Sequence, residues 1–226
     1  NPPATVLLSA DPQHYFVAQS GIVTANRAEG TAQPDHQALF RSERTHWQLA
    51  AGEDTLAVSL TWQGGDGLEV VKTYTFKRGS YVVDVAQRVE NHGAAPWQGN
   101  AYRQLVKVEP PKSGNWLKNW SDPETRSFQG AAWYTGEKFE KLPFKDFAEP
   151  GDALNQDIKG GWAAMLRLYF FAAWIPPAGE TEHYTTHTLD AGSEHPRYLI
   201  RAFGPALSAA PGASVTSTAR LYVGPN

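Results

Sequence analysis

Seven histidines and scattered carboxylates are the groups from which chemistry would have to be built, because the chain has no cysteine. That removes thiolate nucleophiles, zinc–thiolate centres and disulfides together. His183 and His187, in EHYTTHTLD, have a spacing that on a helix brings both rings to one metal. Thr185, Thr186 and Thr188 favour a strand instead, where the rings stand ~13 Å apart, so solvated histidines are expected here and no metal. His14, His36, His46, His92 and His195 have no patterned acid beside them, which leaves a triad or a carboxylate–histidine dyad without support. Ser9, Ser20 and Ser42 lie in no G-x-S-x-G context. Asp152 with Asp157, and Glu137 with Glu140, have the makings of a glycosidase carboxylate pair, although carboxylates near turns are commonplace. Gly64-Gly65-Asp66-Gly67 reads as a tight hairpin turn, not a phosphate loop, because no helix follows it. No motif implies a catalytic residue or a cofactor, and none is expected.

Two features suit binding better than chemistry. Trp116, Trp120, Trp133, Trp162 and Trp174 form either a sugar-stacking platform or ordinary core and rim. The run EKFEKLPFKD, Glu137 to Asp146, interleaves both signs of charge with two phenylalanines. Lys138, Phe139, Lys141, Phe144 and Lys145 then make the rim and aromatic anchors of a modest interface. The alternative is a solvated edge strand kept from aggregating by its lysines.

The elements that must hold these residues read as strands. With 226 residues, 41% hydrophobic, 20 Gly and 16 Pro, the composition fits many strands joined by turns. A net charge of −3 argues against a nucleic-acid partner. Thr55 to Trp62 alternates, with Leu56, Val58, Leu60 and Trp62 on one face. Val70–Phe76 and Tyr81–Val89 alternate around Lys77-Arg78-Gly79-Ser80, the clearest hairpin in the chain. Val215 to Val223 forms a last strand ending at Gly224-Pro225. No amphipathic helix longer than two turns is evident. Pro110 to Gly130 is turn-rich and reads as a long surface excursion.

The most apolar stretch, KGGWAAMLRLYFFAAWIPP from Lys159 to Pro177, needs separate treatment. Its fourteen residues from Trp162 to Ile175 would reach about 21 Å as a helix, short of the ~30 Å of a bilayer core. Arg167 in its middle adds a cost in lipid. At period two, Trp162, Ala164, Leu166, Leu168, Phe170, Ala172 and Trp174 make one apolar row, and the flanking Gly and Pro pairs favour buried strands over a buried helix. Arg167 is expected to pack its stem and send its head to a partner or the surface.

Four segments in order carry a resemblance: KTYTFKRGSYVVDVAQRVEN, FQGAAWYTGEKFEKLPFKD, KGGWAAMLRLYFFAAWIP and the terminal STARLYVGPN. Together with QSGIVTANRAEG and ALFRSE they resemble the large periplasmic domain of the YidC membrane-protein insertases of Gram-negative bacteria, over most of residues 15 to 226. The resemblance implies an all-β twisted supersandwich similar to galactose mutarotases. It implies a single periplasmic domain, residues 1–226, lacking the family's first strands and its C-terminal connection to the membrane part. Membrane segments would lie beyond both ends, on the periplasmic side of the inner membrane. Function would be scaffolding and interaction without enzymatic activity: aiding insertion and folding of membrane proteins, with SecDF and the Sec translocon as partners and nascent membrane proteins as clients of the full-length insertase. A carbohydrate-binding or mutarotase-like protein is the alternative that fold analogy permits, since function lives in sites. In isolation the chain is expected to be monomeric and rich in β structure.

Overall fold

The computed structural model describes residues 6–25, 30–109, 127–147 and 154–226. Strands in these residues are β1 (Phe16–Thr24), β2 (Thr55–Gln63), β3 (Leu68–Lys77), β4 (Val82–Asn91), β5 (Trp97–Val108), β6 (Gly130–Tyr134), β7 (Phe139–Pro143), β8 (Asn155–Lys159), β9 (Trp162–Leu166), β10 (Phe170–Ile175), β11 (Thr181–Leu189), β12 (Arg197–Ala209) and β13 (Ser214–Pro225). Among the described residues, helix is limited to 3-10 turns at Pro12–His14 and Phe144–Asp146. No described helix is long and apolar enough to cross a membrane.

Two antiparallel sheets face each other. One has the order β1-β5-β12-β11-β8, the other β2-β3-β4-β13-β10-β9-β6-β7. The glycine-rich hairpin reading holds: Gly64 N–H donates to Leu68 O at 2.7 Å between β2 and β3, and Ser80 N–H to Lys77 O at 3.1 Å between β3 and β4. The apolar run is two core strands, β9 and β10. Its single apolar row is broken, however, because Arg167 N–H donates to Phe170 O and reverses the chain at Leu168-Tyr169. Arg167 therefore stands at a turn and not in a strand interior. Both faces of the pair are covered in mid-strand, at Ala163, Ala164 and Met165 opposite Ala172, Ala173 and Trp174.

The space between the sheets contains two apolar clusters. The larger joins Phe16, Leu105, Trp133, Met165, Trp174, Tyr184 and Ile200; the smaller joins Ile22, Trp62, Val70, Val89 and Trp97. A polar belt lies between them. Lys72, Gln87 and Ser217 occupy one cross-strand row of the eight-stranded sheet, and Ser20 and Arg103 face them from the five-stranded sheet. Arg103 is 2% exposed and pairs with the wholly buried Glu182. Its other amino nitrogen donates to Ser217 Oγ at 2.7 Å and Thr218 O at 2.8 Å, tying one sheet to the other. Lys72 Nζ does the same in reverse, donating to Ser20 O at 2.6 Å.

Candidate functional site

The charged segment folds as an edge. Among the described residues, β7 pairs only with β6 and closes one side of the eight-stranded sheet. Thr135 Oγ1 accepts the N–H of Lys138 at 3.0 Å and so shapes the β6–β7 turn. Lys138, Phe139, Lys141 and Lys145 are exposed, Phe139 by 53%. Phe139 lies with Tyr134 and Trp162 in an aromatic group, with ring centroids 5.7 Å from Phe139 to Trp162 and 6.3 Å from Tyr134 to Trp162. The Lys141 ammonium stands 5.2 Å from the Phe139 and Phe128 rings. Cation and aromatic thus share one patch.

Phe144 corrects the expected pair of surface anchors. It is 3% exposed and stacks on Tyr198 with centroids 4.3 Å apart, edge-on to Phe147. Period two already sets Phe144 on the face of the buried Leu142 and opposite Phe139, so the two phenylalanines do not share one surface. Among the tryptophans, Trp133 and Trp174 are core, and the Trp174 indole N–H donates to Gln104 O at 3.1 Å. Trp162 is half-buried in the patch. Trp116, Trp120 and Asp152 lie outside the described residues. Glu137 belongs to the β6–β7 turn and Glu140 to β7.

A second polar surface was not legible in the sequence. On the outer face of the five-stranded sheet, Gln19, Gln104, Arg201, Thr185 and Asn155 stand in one row across all five strands. Gln104 Nε2 donates to Gln19 Oε1 at 2.7 Å, and Arg201 Nε donates to Gln104 Oε1 at 2.9 Å. Arg201 also lies over the Tyr102 ring. The Tyr102 hydroxyl is 2.6 Å from His36 Nδ1, and burial pushes it up to about 12. Gly21 is needed beneath it, because a Cβ would meet that hydroxyl at 2.5 Å. Burial lowers the pKa of both His36 and His187, and Arg201 adds to the effect on each, against the pull of Asp35 on His36. Below the row, His183 Nδ1 and Asp157 Oδ1 are 2.7 Å apart. This is a carboxylate–histidine pair, for which the sequence offered no support because it forms across β8 and β11. Glu69, Glu90 and His92 bring ligand atoms within 4.8 Å of one another. Arg88 already sits 3.0 Å from Glu90 as a counter-cation, which makes the group an ordinary surface ion cluster.

These sheets define the class first. The fold is that of the galactose mutarotase-like proteins. A galactose mutarotase related enzyme from Lactobacillus acidophilus aligns with a TM-score of 0.53 at 10% identity, over 95% of this chain and 85% of that one. The alpha-galactosidase from Lactobacillus brevis aligns with a TM-score of 0.52 at 9% identity, over 94% of this chain and 27% of that one. At such identities the likeness is one of fold alone.

The sequence narrows the class to a family. Residues 1–226 match the family model described as YidC periplasmic domain, and the chain belongs to that family. Its relatives include the membrane protein insertase YidC of Stenotrophomonas maltophilia strain K279a, 38% identical over 224 residues, and that of Thioalkalivibrio sulfidiphilus, 37% identical over 214 residues. The matches cover 99% and 93% of this chain but only 37% and 36% of those proteins.

Proposed function

We propose that this chain is the periplasmic interaction and positioning domain of an inner-membrane protein insertase, working with SecDF and the Sec translocon on nascent membrane proteins, and that it performs no catalysis itself. The observation that carries this reading is the family match along the whole chain. The β7 edge is the surface assigned to the partner: Lys138, Phe139, Lys141 and Lys145 are exposed together, with an aromatic centre and a charged rim. Reversing Lys138, Lys141 and Lys145 to Glu is expected to weaken capture of SecDF by slowing association, more at low salt than at high, with the fold unchanged. Equal capture of parent and variant at both salts rules this edge out as the contact.

Sugar binding is the second reading, supported by the polar row around Arg201, where amide and hydroxyl groups surround one guanidinium on an aromatic ring. Titration with galactose and glucose, followed by heat, separates the readings. Saturable binding that Arg201→Ala abolishes supports the second; no heat supports the first.

A further inference from the structure

The two edges of the eight-stranded sheet are finished differently. β7 carries Glu140, Lys141 and Pro143, which are charges and a proline of the kind that stop further pairing. β2, at the other side, reads TLAVSLTWQ, nine residues with neither. The backbone direction along β2 is fixed by Thr61, whose N–H and C=O both turn away from β3 and bond to Arg41 at 2.8 Å each. Odd-numbered residues of β2 therefore point their peptide groups outward. Thr55, Ala57 and Ser59 have this orientation, are exposed, and have no backbone partner among the described residues. Alongside them Leu56 and Val58 are only half-buried, and Phe76, paired with Leu56, is 44% exposed. Unpaired peptide groups beside an apolar lip are what an added strand would cover.

We propose that β2 pairs antiparallel with β2 of a second copy of this chain, about a two-fold axis through Ala57. Ala57 then faces itself and Thr55 faces Ser59, which satisfies about six backbone hydrogen bonds, two for each facing pair. A second copy suits this edge because the segment is self-complementary. No like charges meet within it, and beyond it Glu53 and Asp54 of one copy approach Arg41 of the other, opposite in sign. The Arg41 bridge at Thr61 ends the paired zone, so register is set as well as direction. The two eight-stranded sheets become one, and the contact is isologous and closed. Three facing pairs bury less than the ~1,200 Å² of a standard interface, so association is weak and the dilute chain is the monomer that the sequence suggests.

Sedimentation equilibrium of this chain, from dilute to about 1 mM, reads the proposal directly. The mean mass is expected to rise toward twice the monomer. Ala57→Lys sets two like charges face to face on the axis and is expected to hold the chain monomeric with its melting temperature unchanged. A parent that stays monomeric throughout, or an Ala57→Lys chain that associates as the parent does, overturns the proposal. Since the chain has no cysteine, single thiols give a second measurement. Facing Cα atoms lie about 5.5 Å apart in such a pair, within disulfide reach. Ala57→Cys is expected to cross-link about ten-fold faster or more than Thr216→Cys, which is also exposed on the same sheet. Equal rates defeat it.

Discussion

Lys138, Lys141 and Lys145 at the β7 edge and Lys72, Arg103 and Glu182 in the belt between the sheets are side chains of the same kinds in opposite surroundings. At the edge the charges stand in water, where an ion pair or a lone lysine contributes a few tenths of a kcal/mol. In the belt each charge is sealed, so each needs a particular partner at a particular distance. Edge charges can therefore change with little effect on the fold and are available for recognition. Belt charges fix how the two sheets register on each other, and that service makes them costly to lose. Burial, not charge, separates the two roles.

The sharpest way to break this contrast is Arg103→Met. It strands Glu182 without its counter-cation and releases Ser217 and Thr218 O, so a loss of about 3–5 kcal/mol is expected in calorimetric unfolding. Arg103→Met with Glu182→Leu is expected to regain much of that loss, because no uncompensated charge remains. A double variant as unstable as the single one would mean that the pair is not the reason for the cost.

Within one segment, Phe144 and Phe139 sharpen the same contrast for aromatics. Phe144→Ala empties a stack on Tyr198 and Phe147 and is expected to cost about 3–5 kcal/mol. Phe139→Ala, on a ring more than half exposed, is expected to cost under about 1 kcal/mol. Similar melting temperatures for the two variants would mean that the Phe144 stack contributes no more than the exposed Phe139 ring.

Why some of this was legible and some was not follows from how strands are buried. β2, β3, β4 and β13 each keep one face toward water, so Leu56, Val58 and Leu60, or Ala219, Leu221 and Val223, repeat at period two and can be read. β5 and β12 run through the middle of the five-stranded sheet. β5 is covered on both faces from Ala101 to Val108, and its buried positions include Arg103, Gln104 and Lys107, residues that in a sequence stand for solvent. Neither strand was identified from pattern. The same loss hides the outer polar row: Gln19, Gln104, Arg201, Thr185 and Asn155 are far apart in the chain and meet only through register. The β7 edge was legible because its ten residues are contiguous. Family resemblance supplied the architecture, which periodicity alone left at the level of many strands.

The remaining expected effect is confined to pH and concerns Lys72. Burial lowers its pKa from 10.5 to about 8, against the pull of Asp35. Its ammonium still has somewhere to go, donating to Ser20 O at 2.6 Å and standing 4.3 Å from the Phe40 ring. The folded value lies below the unfolded one, so between pH 8 and pH 10.5 the unfolded chain holds a proton that the folded chain has released. Stability must then rise with pH across that window, by at most about 1.4 kcal/mol per unit, and the contribution is lost as pH falls toward the folded value. Lys72→Met removes the titrating group while keeping the length of its stem. The difference in melting temperature between parent and variant is therefore expected to shift in the parent's favour from pH 8 to pH 10, whereas surface lysines, present in both chains, cancel. A constant difference across that range would mean that Lys72 keeps an ordinary pKa, and that the belt is wetter than its packing implies.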